Sequence, residues 1–291
     1  MANVKSTMVP DFEVKFLLDA TQALDPASSK PNDILRAAFK LPEKPIRMDV
    51  QFLDTPSREI YNAGWSPRIR KIEGESGYEL TYKKRYPIID HQADGAIDTG
   101  DILTALTVAR DDGFDTTETK YDAQVEWGFQ KQTLSISRKK KVKKETVGKK
   151  EMGLPGEEES RKLLGDEIPG KFDDWSFEKW GTSLLSQAVI YGPISAERYE
   201  GRWEGVEVDV EIWPIRSKET DTGTENIVEI SFKSDNGNHA GGTQKVLGEY
   251  LTEKGWLVPS DSLKTQLIMD RYGPQELDGD EGVTGNYTDM A

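Results

Sequence analysis

An α+β fold, built from many antiparallel strands with a few helices packed outside, is what this sequence predicts. Two observations carry that reading. Strand-like segments alternate charged with apolar side chains, and segments with helical periodicity are few and lie between or after them. In a strand, residues i, i+2 and i+4 share a face, so each alternating segment has one ionic and one apolar side.

Taken in order, Asp11-Phe12-Glu13-Val14-Lys15-Phe16 opens a strand over 11–18. Asn32 then caps a short helix with Ile34, Leu35, Ala38 and Phe39 on one side, and the stretch from Pro42 to Pro45 ends it. Residues 46–53 alternate as a second strand, and Ser57 to Tyr61 make a short turn of helix. Gly64 leads into the strand around Arg68 and Arg70; Gly74 and Gly77 mark a hairpin into 78–86. Residues 90–118 are acidic and rich in Gly and Asp, with a helical patch from Ile102 to Ala109. Residues 121–141 read as one or two strands ending in a basic run, and 142–170 as a highly charged, flexible loop.

Phe177 to Ala188 reads as a helix. Residues 189–195, 198–204, 206–213 and 226–233 read as four strands. Helices follow over 243–254 and 261–272, the second capped by Ser260 or Asp261. A folded unit over 1–273 and an acidic, disordered tail over 274–291 complete the division. Phe12, Val14 and Phe16, Val206 to Ile212 at even positions, and Val228, Ile230 and Phe232 supply the helix-packing surface. With the ionic faces turned to water this is a half-exposed sheet. With the sheet closed, they line a polar tunnel.

The 291 residues suffice for a sizeable core, yet only 35% are hydrophobic and 31% are charged. Charges placed inside as well as outside would account for this, as would charged loops. The net charge of −14 disfavours general binding to nucleic acid or to an anionic membrane, so any phosphate site must be a local concentration of cations. The absence of cysteine excludes disulfides, thiolate metal sites and a cysteine nucleophile. Residues 1–25 hold no long apolar run, which argues against a signal peptide or membrane helix and makes a cytoplasmic protein the expectation. No Rossmann turn, P-loop, His-Glu-x-x-His or nucleophile elbow is present. His91 and His239, the two histidines, fall in Asp- or Gly-rich stretches and read as loop residues.

The alternating strands resemble those of the triphosphate tunnel metalloenzymes, the CYTH superfamily. Asp11-Phe12-Glu13-Val14-Lys15 is similar to the family's opening Glu-x-Glu-x-Lys, with Asp in the first place. Gln51 to Pro56 followed by Arg68-Ile69-Arg70 resembles its aromatic-x-Asp-Thr stretch and Arg-x-Arg strand; Glu79 to Lys83 resembles its Leu-Thr-x-Lys strand. Leu134 to Lys140, Val206 to Ile212 and Val228 to Ser231 fit the later basic and acidic strands, with Ser231 where the family has Glu. The resemblance runs over roughly residues 11–272. It implies an antiparallel β-barrel, or tunnel, of about eight strands with helices outside. It also implies a metal-dependent hydrolase of a triphosphate or diphosphate compound.

On that resemblance, Arg68, Arg70, Lys83, Arg85 and Arg138 are candidate phosphate contacts, with Arg202 as a further one. Guanidinium forks bind phosphate oxygens in pairs and an ammonium acts as a point charge. Mg²⁺ or Mn²⁺ would be held by Glu13, Glu211 and Glu229, then by Asp11 and Asp209. Lys15 would sit beside the metal ligands, and Glu211 is the candidate general base. Asp11 and Ser231 weaken the metal side of the site more than the phosphate side. The partner is a small polyphosphate or diphosphate compound, with nucleic acid entering only as a triphosphate end and no membrane. Two other readings stand beside hydrolysis. One is a lyase or cyclase expelling pyrophosphate from an organic diphosphate or triphosphate, including a prenyl-diphosphate cyclase. The other is a non-catalytic polyphosphate-binding protein.

Overall fold

Period-two alternation becomes strand throughout the chain. The computed structural model describes residues 8–88, 99–115, 120–143, 152–218, 223–261 and 264–273. Its first half runs β1 (Asp11–Leu18), α1 (Ala20–Ala23), α2 (Asp33–Phe39), β2 (Ile46–Asp54), α3 (Glu59–Asn62), β3 (Trp65–Ile72), β4 (Tyr78–Ile88) and α4 (Thr99–Asp111). Next come β5 (Asp122–Trp127), β6 (Gln132–Val142), α5 (Glu157–Asp166), α6 (Gly170–Asp173) and α7 (Trp180–Gln187). The chain then forms β7 (Val189–Trp203), β8 (Val206–Arg216), β9 (Thr224–Ser234), α8 (Gly237–Glu253), β10 (Leu257–Val258) and α9 (Lys264–Tyr272).

The strands close on themselves. Their order is β1-β5-β6-β4-β3-β2-β7-β8-β9, and β9 returns to pair with β1 through Phe12↔Ser234 to Leu18↔Val228. The result is the expected α+β barrel, with nine strands in the wall. One contact, β1 with β5, is parallel, because both strands run the same way on either side of the closure; the rest are antiparallel. β10 extends the wall briefly beside Leu17 and Leu18. Closure leaves the wall strands without long free edges, which removes the usual hazard of edge-to-edge pairing.

Two apolar clusters cover the outside. One packs Ile69, Leu80, Tyr82, Leu134 and Ile136 of the wall against Phe114, Leu164, Phe172 and Leu184. Trp65 lies at its centre, with ring centroids 5.2 Å from Phe172 and 5.5 Å from Trp175. The other packs Val14, Phe16, Val208, Val210, Val228 and Ile230 against Leu35, Phe39, Leu247 and Leu251 of α2 and α8. Asn32 caps α2 as expected, its side chain accepting the Leu35 N–H at 2.9 Å.

A third cluster lies inside. Val50 and Phe52 share the inward face with Arg70 and Arg68, their register partners. With Met48, Ala196, Trp213 and Ile215 they pack against Ile268 and Met269 of α9. The last helix is therefore not outside the barrel with the others but fills the apolar side of its interior.

Two sequence expectations need correction. The span 142–170 is not a loop throughout: α5 forms because its buried side meets the wall, where Gln51 donates to Ser160 Oγ at 2.8 Å and Tyr82 donates to the Leu164 carbonyl at 2.7 Å. Three acidic residues in its first turn suit the helix N-terminus. Residues 189–203 form one strand, since Ser195 to Glu197 continue the ladder with Asp49 to Arg47. Asp261 anchors the turn between β5 and β6: its carboxylate accepts the N–H groups of Phe129, Gln130 and Lys131 at 2.5, 2.8 and 3.0 Å. A Cβ at Gly128 would lie 1.9 Å from Asp261 Oδ1, so only glycine permits that approach. The tail 274–291, His91 and Lys149-Lys150 of the basic run lie outside the described residues. No described helix is long and apolar enough to cross a membrane.

Candidate functional site

Directly opposed residues in a ladder share a face, so the registers sort every ionic side chain. Arg68 faces Thr81, which faces Lys139; Arg70 faces Glu79; Lys83 faces Ser137. On the other side of the closure Glu13 faces both Glu126 and Lys233, and Lys15 faces Ser231. Asp209 faces Ser231, and Glu211 faces Glu229 on one side and Arg198 on the other. The apolar outer clusters hold the opposite faces of these strands, so all of these side chains project into the barrel.

Glu126 is the hub of one group. Its carboxylate lies 2.5 Å from Lys83, 3.5 Å from Lys15 and 3.8 Å from Arg85 Nε. Lys15 also pairs with Glu13 at 2.9 Å. Burial opposes the Glu126 charge, but the three cations outweigh it and hold the carboxyl well below its usual range. Burial also opposes the Lys15 ammonium, and Glu126, Glu13 and Glu229 reverse that effect, raising it above an ordinary lysine. A cavity of about 110 Å³ adjoins the group, lined among others by Lys15, Glu126, Thr133, Glu229 and Gln266.

Glu211 is the hub of a second group. Its Oε1 accepts Arg198 Nε at 2.9 Å and a second Arg198 nitrogen at 2.7 Å. Its Oε2 accepts Trp213 Nε1 at 2.9 Å and the Lys264 ammonium. Lys264 lies 2.9 Å from Glu229 as well. A carboxylate offers about four acceptor directions, and here all are taken. Burial raises the Glu211 pKa, but Lys264 and Arg198 overcome it and hold the carboxyl far below the usual range. With those directions taken, Glu211 has no lone pair open to a proton from water in this arrangement.

The wall formed by β3, β4 and β6 is short of negative charge. The buried Nε atoms of Arg68, Arg70 and Arg85 make no hydrogen bond. Arg68 donates one long hydrogen bond among the described residues, to Thr81 Oγ1 at 3.4 Å, while Arg70 pairs with Glu79 at 2.6 Å. Burial and the neighbouring Arg70 push the Arg68 guanidinium down to about 10. Burial pushes Lys83 down to about 8, because Glu126 offsets only part of it and Arg85 and Lys15 add to it. Lys139 and Lys233 stand exposed at the same face nearer the mouth. Buried guanidinium N–H donors left without acceptors suit an anion with many oxygens.

Two predicted phosphate contacts lie elsewhere. Arg138 faces Tyr82 on the outer side and donates to the Glu167 carbonyl at 2.5 Å. Arg202 is an exposed hairpin residue paired with Glu207 at 3.2 Å. Glu126, Lys139, Arg198 and Lys264 went unnoticed in the sequence. Trp65, Trp127 and Trp203 are outer-core residues, and Trp213 alone of the four beside the ionic strands faces inward.

Of the proposed metal ligands, Glu13, Asp209, Glu211 and Glu229 project into the barrel, each beside a cation. Asp11 is exposed at the start of β1. Asp209 lies 4.0 Å from Arg198, and burial with Glu211 nearby raises its pKa. Glu13 is neutralised by Lys15, Glu211 by Arg198 and Lys264, and Glu229 by Lys264. Among the described residues no three acidic or histidine side chains group to hold a metal ion. Glu211 is saturated and Glu13 and Glu229 each already face an ammonium group, a pairing that does not fit a resident Mg²⁺ or Mn²⁺.

No family model and no curated protein matches this chain. Solved structures do match. A Hippeastrum protein described as a candidate adenylyl cyclase with a dominant triphosphatase activity is 14% identical, over 89% of this chain and 94% of that one, at a TM-score of 0.46. A candidate adenylate cyclase from Bacillus halodurans is 15% identical over 88% and 96%, at 0.44. One from Vibrio parahaemolyticus is 10% identical over 89% and 98%, at 0.42.

Proposed function

We propose that the barrel binds the polyphosphate part of a small triphosphate or diphosphate compound and hydrolyses it. The observation that carries this is the wall of Arg68, Arg70, Lys83 and Arg85, whose three guanidinium Nε atoms are buried without hydrogen-bond partners in a protein of net charge −14. Phosphate oxygens supply the missing acceptors, at about 1.5–3 kcal/mol for each charge-assisted hydrogen bond. Phosphoryl transfer asks a protein mainly for charge neutralisation and positioning, and this wall offers both.

The pairing of Glu13, Glu126, Glu211 and Glu229 with cations favours a second reading, a binding protein without turnover. An assay separates the two. Purified protein is given inorganic tripolyphosphate, nucleoside triphosphates and prenyl diphosphates, with Mg²⁺, with Mn²⁺ or with chelator. Phosphate and pyrophosphate are scored separately. Phosphate release above a Lys83→Ala control supports the hydrolase. Pyrophosphate release points to a lyase or cyclase. Tight binding with release of neither assigns the binding role, and failure to bind any of them ends the proposal.

A further inference from the structure

Glu211 and Glu229 are opposite each other on β8 and β9, and both face inward. Their side chains are only 9% and 6% exposed. Like charges directly opposed on a sheet repel, and removal from water intensifies the repulsion. A cation between them is required. Two kinds would serve: a divalent ion taking an oxygen from each, or an ammonium.

The chain supplies the ammonium. Lys264 contacts both carboxylates, its side chain 17% exposed, and its Nζ lies 4.6 Å from the centre of the Trp213 ring. It is the first residue of α9, whose next turn carries Ile268 and Met269, both fully buried among inward residues of β2, β7 and β8. The charge is thus delivered by a helix packed inside the barrel and not by a loose surface lysine. Trp213 donates to the same Glu211 oxygen that receives Lys264, which fixes the carboxylate in the orientation that meets the ammonium.

We propose that Lys264 is a tethered counter-ion standing where a divalent cation would bridge Glu211 and Glu229, so that the barrel with α9 docked excludes divalent metal from this pair. The exclusion is a matter of occupancy: Glu211 Oε2 and Glu229 Oε1 already share one positive charge, and a metal gains both only by displacing a side chain anchored by its helix. Removing that one amine while keeping the helix turns the pair into an acidic site open to a hard cation.

The test uses Mn²⁺ alone, with no phosphate compound present, so its outcome is independent of whether the barrel binds polyphosphate. Binding is followed by loss of the free-ion electron paramagnetic resonance signal and by calorimetry. The wild-type protein is expected to show only weak, millimolar uptake. Lys264→Gln is expected to bind one Mn²⁺ roughly tenfold or more tightly. Lys264→Arg should match wild type, and adding Glu229→Gln to Lys264→Gln should abolish the gain. A folded Lys264→Gln protein, judged by circular dichroism, that gains no Mn²⁺ affinity overturns the proposal. So does micromolar binding by the wild-type protein that Glu229→Gln removes. The wild-type measurement decides alone where Lys264→Gln fails to fold: weak binding supports the tethered counter-ion, and tight binding lost in Glu229→Gln refutes it.

Discussion

Lys83 and Glu126, 43 residues apart in the chain, meet at 2.5 Å inside the barrel. Lys83 comes from β4 and Glu126 from β5, with β6 between them in the wall. Glu126 is therefore the counter-ion that lets a basic wall exist before any ligand arrives.

Replacing Glu126 with Gln should destabilise the protein by about 3 kcal/mol, because Lys15, Lys83 and Arg85 lose a buried partner together. Urea denaturation in phosphate-free buffer measures this. Tripolyphosphate should restore more of the variant's melting temperature than it adds to wild type, since it supplies the missing charge. Equal stabilisation of both proteins would argue that the ligand binds elsewhere.

Arg68→Ala should weaken tripolyphosphate binding by about 1.5–3 kcal/mol, roughly tenfold to a hundredfold, through loss of a charge-assisted contact. The fold should survive, because the one hydrogen bond described for Arg68 is long, to Thr81 Oγ1 at 3.4 Å. Arg138→Ala should leave affinity unchanged, as Arg138 faces outward to Glu167. Calorimetry on both variants checks the pair of expectations, and reversed effects would displace the ligand from the tunnel.

Arg138 also shows what was legible in the sequence. Strand positions and the alternation of faces were plain, and the barrel follows from them. The choice within Arg138-Lys139-Lys140 turned on parity: Leu134 and Ile136 are outer-core residues, so Arg138 shares their face and Lys139 takes the inner one. A one-residue error in register exchanges the two faces. Glu126 carried the same signal, alternating with Val125 and Trp127, but in a segment with no motif around it. Lys264 carried none. It lies on a helix, where period two says nothing, and its partners are set by α9 docking inside the barrel, a tertiary outcome.

Lys83 gives a pH dependence with opposite signs for stability and for binding. Its folded-state pKa is pushed down from 10.5 to about 8. Between those values the unfolded chain holds a proton that the folded one has released, so this group makes stability rise with pH across that window. Phosphate binding needs the ammonium, so affinity should fall as pH passes about 8. Lys83→Arg keeps its charge throughout and should lose that inflection. The ligand's own ionisation is common to both proteins and cancels in the ratio of affinities. Calorimetric titration from about pH 7 to about pH 10, across the inflection near 8, is the measurement; identical profiles for the two proteins would remove Lys83 from the site.

The docking of α9 makes the last expectation. Ile268 and Met269 are fully buried against strands hydrogen-bonded on both sides, and a wall of that kind cannot collapse into a void. Ile268→Ala should therefore cost about 2–5 kcal/mol, toward the upper end of what a buried aliphatic deletion costs. Ile34 on α2 is 69% exposed, and the same substitution there should change stability by less than about 0.5 kcal/mol. Chemical denaturation of the two variants makes the comparison with the chemistry of the substitution held constant. A cost at Ile268 no larger than at Ile34 would mean that α9 does not pack inside the barrel, and the placement of Lys264 between Glu211 and Glu229 would fall with it.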